Sequence, residues 1–177
     1  MALMDSKLLI AGTPNPSVSA QNASSSNPPI TGQDLTGTTA GTAVLSTYSI
    51  DLNPNAQTGI DIGEGTPMFI RVVIQTAFTG CTGLTVGVVV DTTAALTSGN
   101  VQTLASMAFT SLAAGTQLFL PVPPQVANNL SSGLGFEFIG ASFTPTGGTV
   151  TAGKVVAELT QQVDDPKSFY KSGFAVT

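Results

Sequence analysis

A chain of 177 residues with 42% hydrophobic side chains can build one sizeable core, yet only 8% of its residues are charged and its formal net charge is −5, against about a quarter charged in ordinary domains. The five basic residues, Lys7, Arg71, Lys154, Lys167 and Lys171, are too few and too scattered to neutralise phosphates along one face, which excludes nucleic acid as a direct partner. So little charge also argues against a free cytosolic enzyme and suits a chain that buries much of its surface against neighbours.

The N-terminus, MALMDSKLLIAG, does not read as a signal peptide. Asp5 precedes the nearest lysine, and the apolar patch Leu8 to Ala11 is shorter than a signal's apolar region. No later segment has the uninterrupted apolar length of a membrane helix, so the expectation is a chain made in the cytoplasm, with no membrane partner. Residues 13–42 are dominated by Pro, Ser, Asn, Thr and Gly and have almost no large apolar side chains. Such a segment buries too little surface to offset its ordering entropy. Residues 1–42 are therefore expected to form an extended N-terminal arm, free or laid along a partner, with Leu8, Leu9 and Ile10 as its anchor.

From Ala43 the pattern becomes that of strands. Val44, Tyr48, Ile50 and Leu52 alternate with Leu45, Thr47, Ser49 and Asp51, as in a half-buried strand. After a turn-rich segment, Met68 to Ala77 and Leu84 to Val90 form two runs rich in β-branched residues, separated by a glycine-punctuated turn. Both faces of the first run are largely apolar, so it is expected to be central and covered on both sides. Arg71, the chain's single arginine, lies inside it and must meet a carboxylate or emerge at a strand end. Val101 to Phe109 is a further strand. Thr116 to Val122 is another, which ends on an edge or leaves the sheet because Pro121, Pro123 and Pro124 cannot donate to a ladder. Leu134 to Ile139 and Lys154 to Val163 complete the set, with SFTPTGGTVTAG between them read as a long turn. Seven or eight strands without a sustained helical period predict an all-β, jelly-roll-like antiparallel β-sandwich over residues 43–163. A short C-terminal tail, 164–177, carries Phe169, Tyr170 and Phe174.

Catalytic signals are thin. There is no histidine, which removes the commonest general base and every His-based triad or metal site. Cys81 sits in FTGCTG with no basic neighbour to activate it. Asp51, Asn53 and Asn55 begin like a calcium loop, but Ala56 replaces its glycine and Ile62 its bidentate acid. The pairs Asp61 with Glu64 and Asp164 with Asp165 fall in turn chemistry, and the chain has no Trp to stack on a sugar. No cofactor and no enzymatic activity are expected.

Four stretches, in order, carry a family likeness: MDSKLLIAG at the N-terminus, GEGTPMFIRVVIQTAFTGCTGLTVGVVV, LAAGTQLFLPVPP, and GGTVTAGKVVAEL with the closing FYKSGFAV. In these the sequence resembles the capsid cement (decoration) proteins of tailed bacteriophages, the family typified by the cement protein of a Bordetella phage. The resemblance implies a jelly roll and no catalysis. It implies a homo-oligomer, dimer or trimer, on the outer surface of a virion capsid, with the major capsid protein as partner. Leu8, Leu9, Ile10, Phe169, Tyr170 and Phe174 are the expected capsid or subunit contacts. The competing expectation is a carbohydrate-binding jelly roll of a phage tail or cell-surface appendage. That role asks for exposed aromatics clustered on one face, whereas the phenylalanines here fall mostly at inward-alternating positions.

Overall fold

The computed structural model describes residues 9–14, 30–52, 67–97, 99, 101–123 and 136–161, and among these every regular element is a strand. Six are long: β7 (Met68–Thr79), β8 (Gly83–Asp91), β9 (Gln102–Phe109), β10 (Gln117–Val122), β11 (Phe138–Thr146) and β12 (Ala152–Thr160). The short ones precede them in the chain: β1 (Leu9–Ala11), β2 (Thr13–Pro14), β3 (Ile30–Thr31), β4 (Gln33–Asp34), β5 (Val44–Leu45) and β6 (Ile50–Asp51). They form two five-stranded antiparallel sheets. One runs β1-β12-β7-β10 with β4 also on β12, and the other runs β5-β11-β8-β9 with β6 also on β11; β2 and β3 pair separately. The result is a jelly-roll-like β-sandwich.

Alternation decides what faces inward. Ile70, Val72, Ile74, Leu118, Leu120, Val155, Ala157 and Leu159 of the first sheet meet Leu84, Val86, Val88, Val90, Ile139, Ala141 and Phe143 of the second in one core. β7 is central, between β12 and β10, but its outer residues Phe69, Arg71, Val73 and Gln75 are only half-buried. β8 is buried on both faces along most of its length, and so are the middles of β11 and β12. The loop after β8 folds back over the outside of its sheet, with Leu96 so close above Gly140 that a Cβ there would lie 2.6 Å from Leu96 Cδ1. Leu96 takes a left-handed φ of 53° to do so, a conformation costly for leucine and offset here by complete burial of its side chain. Asp91 shapes the loop, accepting hydrogen bonds from Thr92 N–H (2.6 Å) and Thr93 Oγ (3.2 Å).

Three further departures from the sequence reading have local causes. The expected strand over 44–52 is split into β5 and β6, because Ser46 Oγ donates to Tyr48 O (2.8 Å) and accepts from Ala141 N–H (3.0 Å), turning the chain between them. β11 continues to Thr146 through what was read as turn. Pro145 fits there because β5 pairs only with Ser142 and Phe143, leaving that stretch of β11 flanked by β8, and its carbonyl accepts from Gly41 N–H (2.9 Å). The turn proper begins at Gly147, whose φ is +77°, and Gly148 lies so close to the Gly80 carbonyl that no side chain fits. The third departure is at the N-terminal end, where residues 9–11 and 30–42 lie along the sheets. β1 pairs with β12, and Leu35, 1% exposed, enters the core.

Backbone hydrogen bonding rather than apolar area holds the 30–34 stretch. The Gln75 carboxamide accepts from Gly32 N–H (2.7 Å) and donates to Ile30 O (2.7 Å), serving both groups of a passing chain as a strand would. Gln33 repeats the device, donating to Leu45 O (2.7 Å) and accepting from Thr47 N–H (3.0 Å).

Candidate interaction surfaces

Two positions with chemical potential resolve as structural. Arg71 meets Glu158 across β7 and β12, the two being register partners with side chains 11% and 8% exposed. The carboxylate that Arg71 required is thus supplied by a strand far away in the sequence. Glu158 is pushed above its ordinary range because desolvation outweighs the pull of Arg71. Cys81 lies in the corner turn between β7 and β8, half-buried against the core. Burial pushes its thiol up, away from the reactive thiolate. The corner itself is tied by Thr151 N–H to Thr79 O (2.8 Å), Thr82 N–H to Thr146 O (2.9 Å) and a Thr79–Thr151 hydroxyl pair (2.8 Å). Asp61, Glu64, Asp164 and Asp165 lie outside the described residues. Within them no three His, Cys, Asp or Glu side chains gather as a metal would need.

The six expected contact residues divide. Leu9 and Ile10 are buried in β1, Ile10 in the main core and with its carbonyl accepting from Tyr48 N–H (2.9 Å), so both hold the strand to the sandwich. Leu8, Phe169, Tyr170 and Phe174 lie outside the described residues.

What the sequence reading passed over is the sheet edge at β9. This strand pairs with β8 on one side only among the described residues, is exposed along most of its eight residues, and reads QTLASMAF without charge or proline. Met107 on it and Tyr48 are the large apolar side chains exposed among the described residues. The signal was present in the composition: no charged residue occurs between Asp91 and Glu137.

The family described as Bbp16 matches residues 30–159, from β3 to the penultimate residue of β12, and so takes in nearly the whole sandwich. The chain belongs to the Bbp16 family. Bbp16 is a Bordetella phage protein, and membership makes this chain a phage structural protein, in line with the resemblance read from its four sequence stretches. No curated protein matches the chain. Among the described residues, no helix is long and apolar enough to cross a membrane.

Proposed function

We propose that this Bbp16-family chain is a capsid cement protein. In this reading it binds the outer surface of the major capsid protein shell as a homo-oligomer and stabilises the shell against the outward pressure of packaged DNA, without catalysis. Family membership carries the proposal. The physics supports it: a chain with 8% charged residues has surface suited to several modest interfaces, and such interfaces become effective when many copies sit on one symmetric shell. Leu8, Phe169, Tyr170 and Phe174 are the proposed contacts to the shell or a sister subunit. Leu9 and Ile10 act behind them by fixing β1 to the body.

Co-sedimentation with shells stripped of the protein, beside a DNA-release curve on heating, tests the reading. Binding together with a higher release temperature is expected. Full-length chain that neither binds shells nor raises the release temperature overturns it, and specific glycan binding in its place would put the carbohydrate-binding role first.

A further inference from the structure

We propose that β9 is a self-pairing edge, through which two copies of this chain join antiparallel about a two-fold axis at Met107. The inference takes up the self-association in the reading above and rests on that part alone, not on shell binding.

Unpaired strand edges are templates for another strand, and proteins normally blunt them with short length, proline or charge. The other edges described here are blunted. β10 carries Pro121, β1 has three residues, and β4, β5 and β6 have two each, with Asp34 and Asp51 among them. β9, at eight residues, has neither proline nor charge.

Its register gives the geometry. Val88 pairs with Ala105 and Val89 with Thr103, so Leu104 is an extra residue and the ladder is regular from Ala105 to Phe109. Met107 is the midpoint of that regular run. It stands opposite Val86, hence on the core-facing side of its sheet, yet it is 43% exposed. A two-fold at Met107 sets Met107 against its own copy and Ala105 against Phe109 of the second copy, all on the core-facing side. Each methionine is then covered by the other. Two acidic chains approach here without repulsion, since neither β9 nor its flanking loops carry a charge, whereas like charges directly opposite would oppose pairing. A symmetric pairing of one surface with itself is the commonest route to a dimer. Two strands alone bury less than the roughly 1,200 Å² of a standard interface, so the expected dimer is reversible.

The experiment is analytical ultracentrifugation of the full chain over a concentration series, with Met107→Lys and Met107→Glu alone and mixed. Each variant sets like charges face to face on the axis. The expectation is that the wild type dimerises, each variant alone does so at least about tenfold more weakly, and the mixture recovers pairing. Amide exchange of the wild type over 105–109 should slow as concentration rises, a readout that needs no variant. A wild type monomeric to about 1 mM, an oligomer indifferent to both substitutions, or exchange over 105–109 independent of concentration would each overturn the proposal. Shell binding by Met107→Lys, measured in parallel, separates the two ideas: an oligomer built on another surface sinks this edge and leaves the cement reading standing.

Discussion

At Glu158 two influences oppose each other, and their order sets a pH dependence. Desolvation raises its pKa above the ordinary 4.5 and Arg71 only partly restores it. Above 4.5, up to the raised folded-state value, the native state binds more protons than the unfolded one, so stability falls as pH rises through that window. Asp34 acts with the opposite sign. Its hydrogen bonds from the Thr36 side chain and backbone hold it below 3.8, so its contribution is present above that value and is lost on acidification below it. Urea denaturation of wild type and Glu158→Gln from pH 4.5 upward should show a decline with pH in the wild type that the variant lacks. A wild-type curve that instead rises with pH below 4.5 and is flat above it, relative to Glu158→Gln, would mean that Arg71 governs the pair after all. Arg71→Met leaves the buried carboxylate without its cation and is expected to cost about 3–5 kcal/mol at neutral pH, with recovery on acidification as Glu158 protonates. That Arg71 must meet a carboxylate or emerge at a strand end was legible from one residue in an apolar run. Glu158 as the partner was not, because strand register is set by pairing between segments far apart in the chain. The Gln75 and Gln33 clamps were invisible for a related reason: an apolar count gives no weight to an amide that substitutes for a strand.

At the scale of elements, alternation located five of the six long strands and only the first two residues of β11, Phe138 and Ile139, and it gave neither ends nor coverage. Of the two outcomes that its prolines allow for β10, an edge or departure from the sheet, the strand takes the edge. β11 ran on through Pro145 because that stretch has only one strand neighbour, a circumstance of topology. Central β7 gives the sharpest test of the core. Val72, fully buried between Leu118 and Ala157 in register, tolerates no charge, so Val72→Asp is expected to cost several kcal/mol against a total stability of about 5–15 kcal/mol. Thermal melting should show gross destabilisation, and a shift of only a few degrees would mean the strand is not core. The clamp on 30–34 predicts a local effect instead. Gln75→Leu removes the acceptor for Gly32 N–H and the donor for Ile30 O. Exchange at the Gly32 amide should accelerate, with a loss of about 1–3 kcal/mol. Gly32→Val should mimic it, because even a Cβ there would lie 2.9 Å from Gln75 Oε1 and from Val155 O. Unchanged exchange at Gly32 in Gln75→Leu would show that the main-chain pairing of β4 with β12 alone holds the segment.

For the molecule as a whole, the sparse charge of the composition marks no particular face, so it suits interfaces with neighbours without saying where they lie. The contacts proposed for the shell and the edge proposed for self-pairing are separate in the chain, so they can be removed separately. Truncation after Val163 deletes Phe169, Tyr170 and Phe174 while keeping all twelve described strands. If those aromatics bury against the shell or a sister subunit, each contributes about 1–3 kcal/mol. The truncated chain should then keep the full-length melting profile, bind stripped shells more weakly, and fail to restore the DNA-release temperature. Met107→Lys should keep the tail's contacts and lose the pairing of copies, so its binding to shells should weaken mainly through lost avidity. Co-sedimentation at matched concentrations compares the two directly. Truncated chain that binds and protects shells as well as the full-length protein would remove the tail from the contact surface and shift the search for it to the sandwich itself.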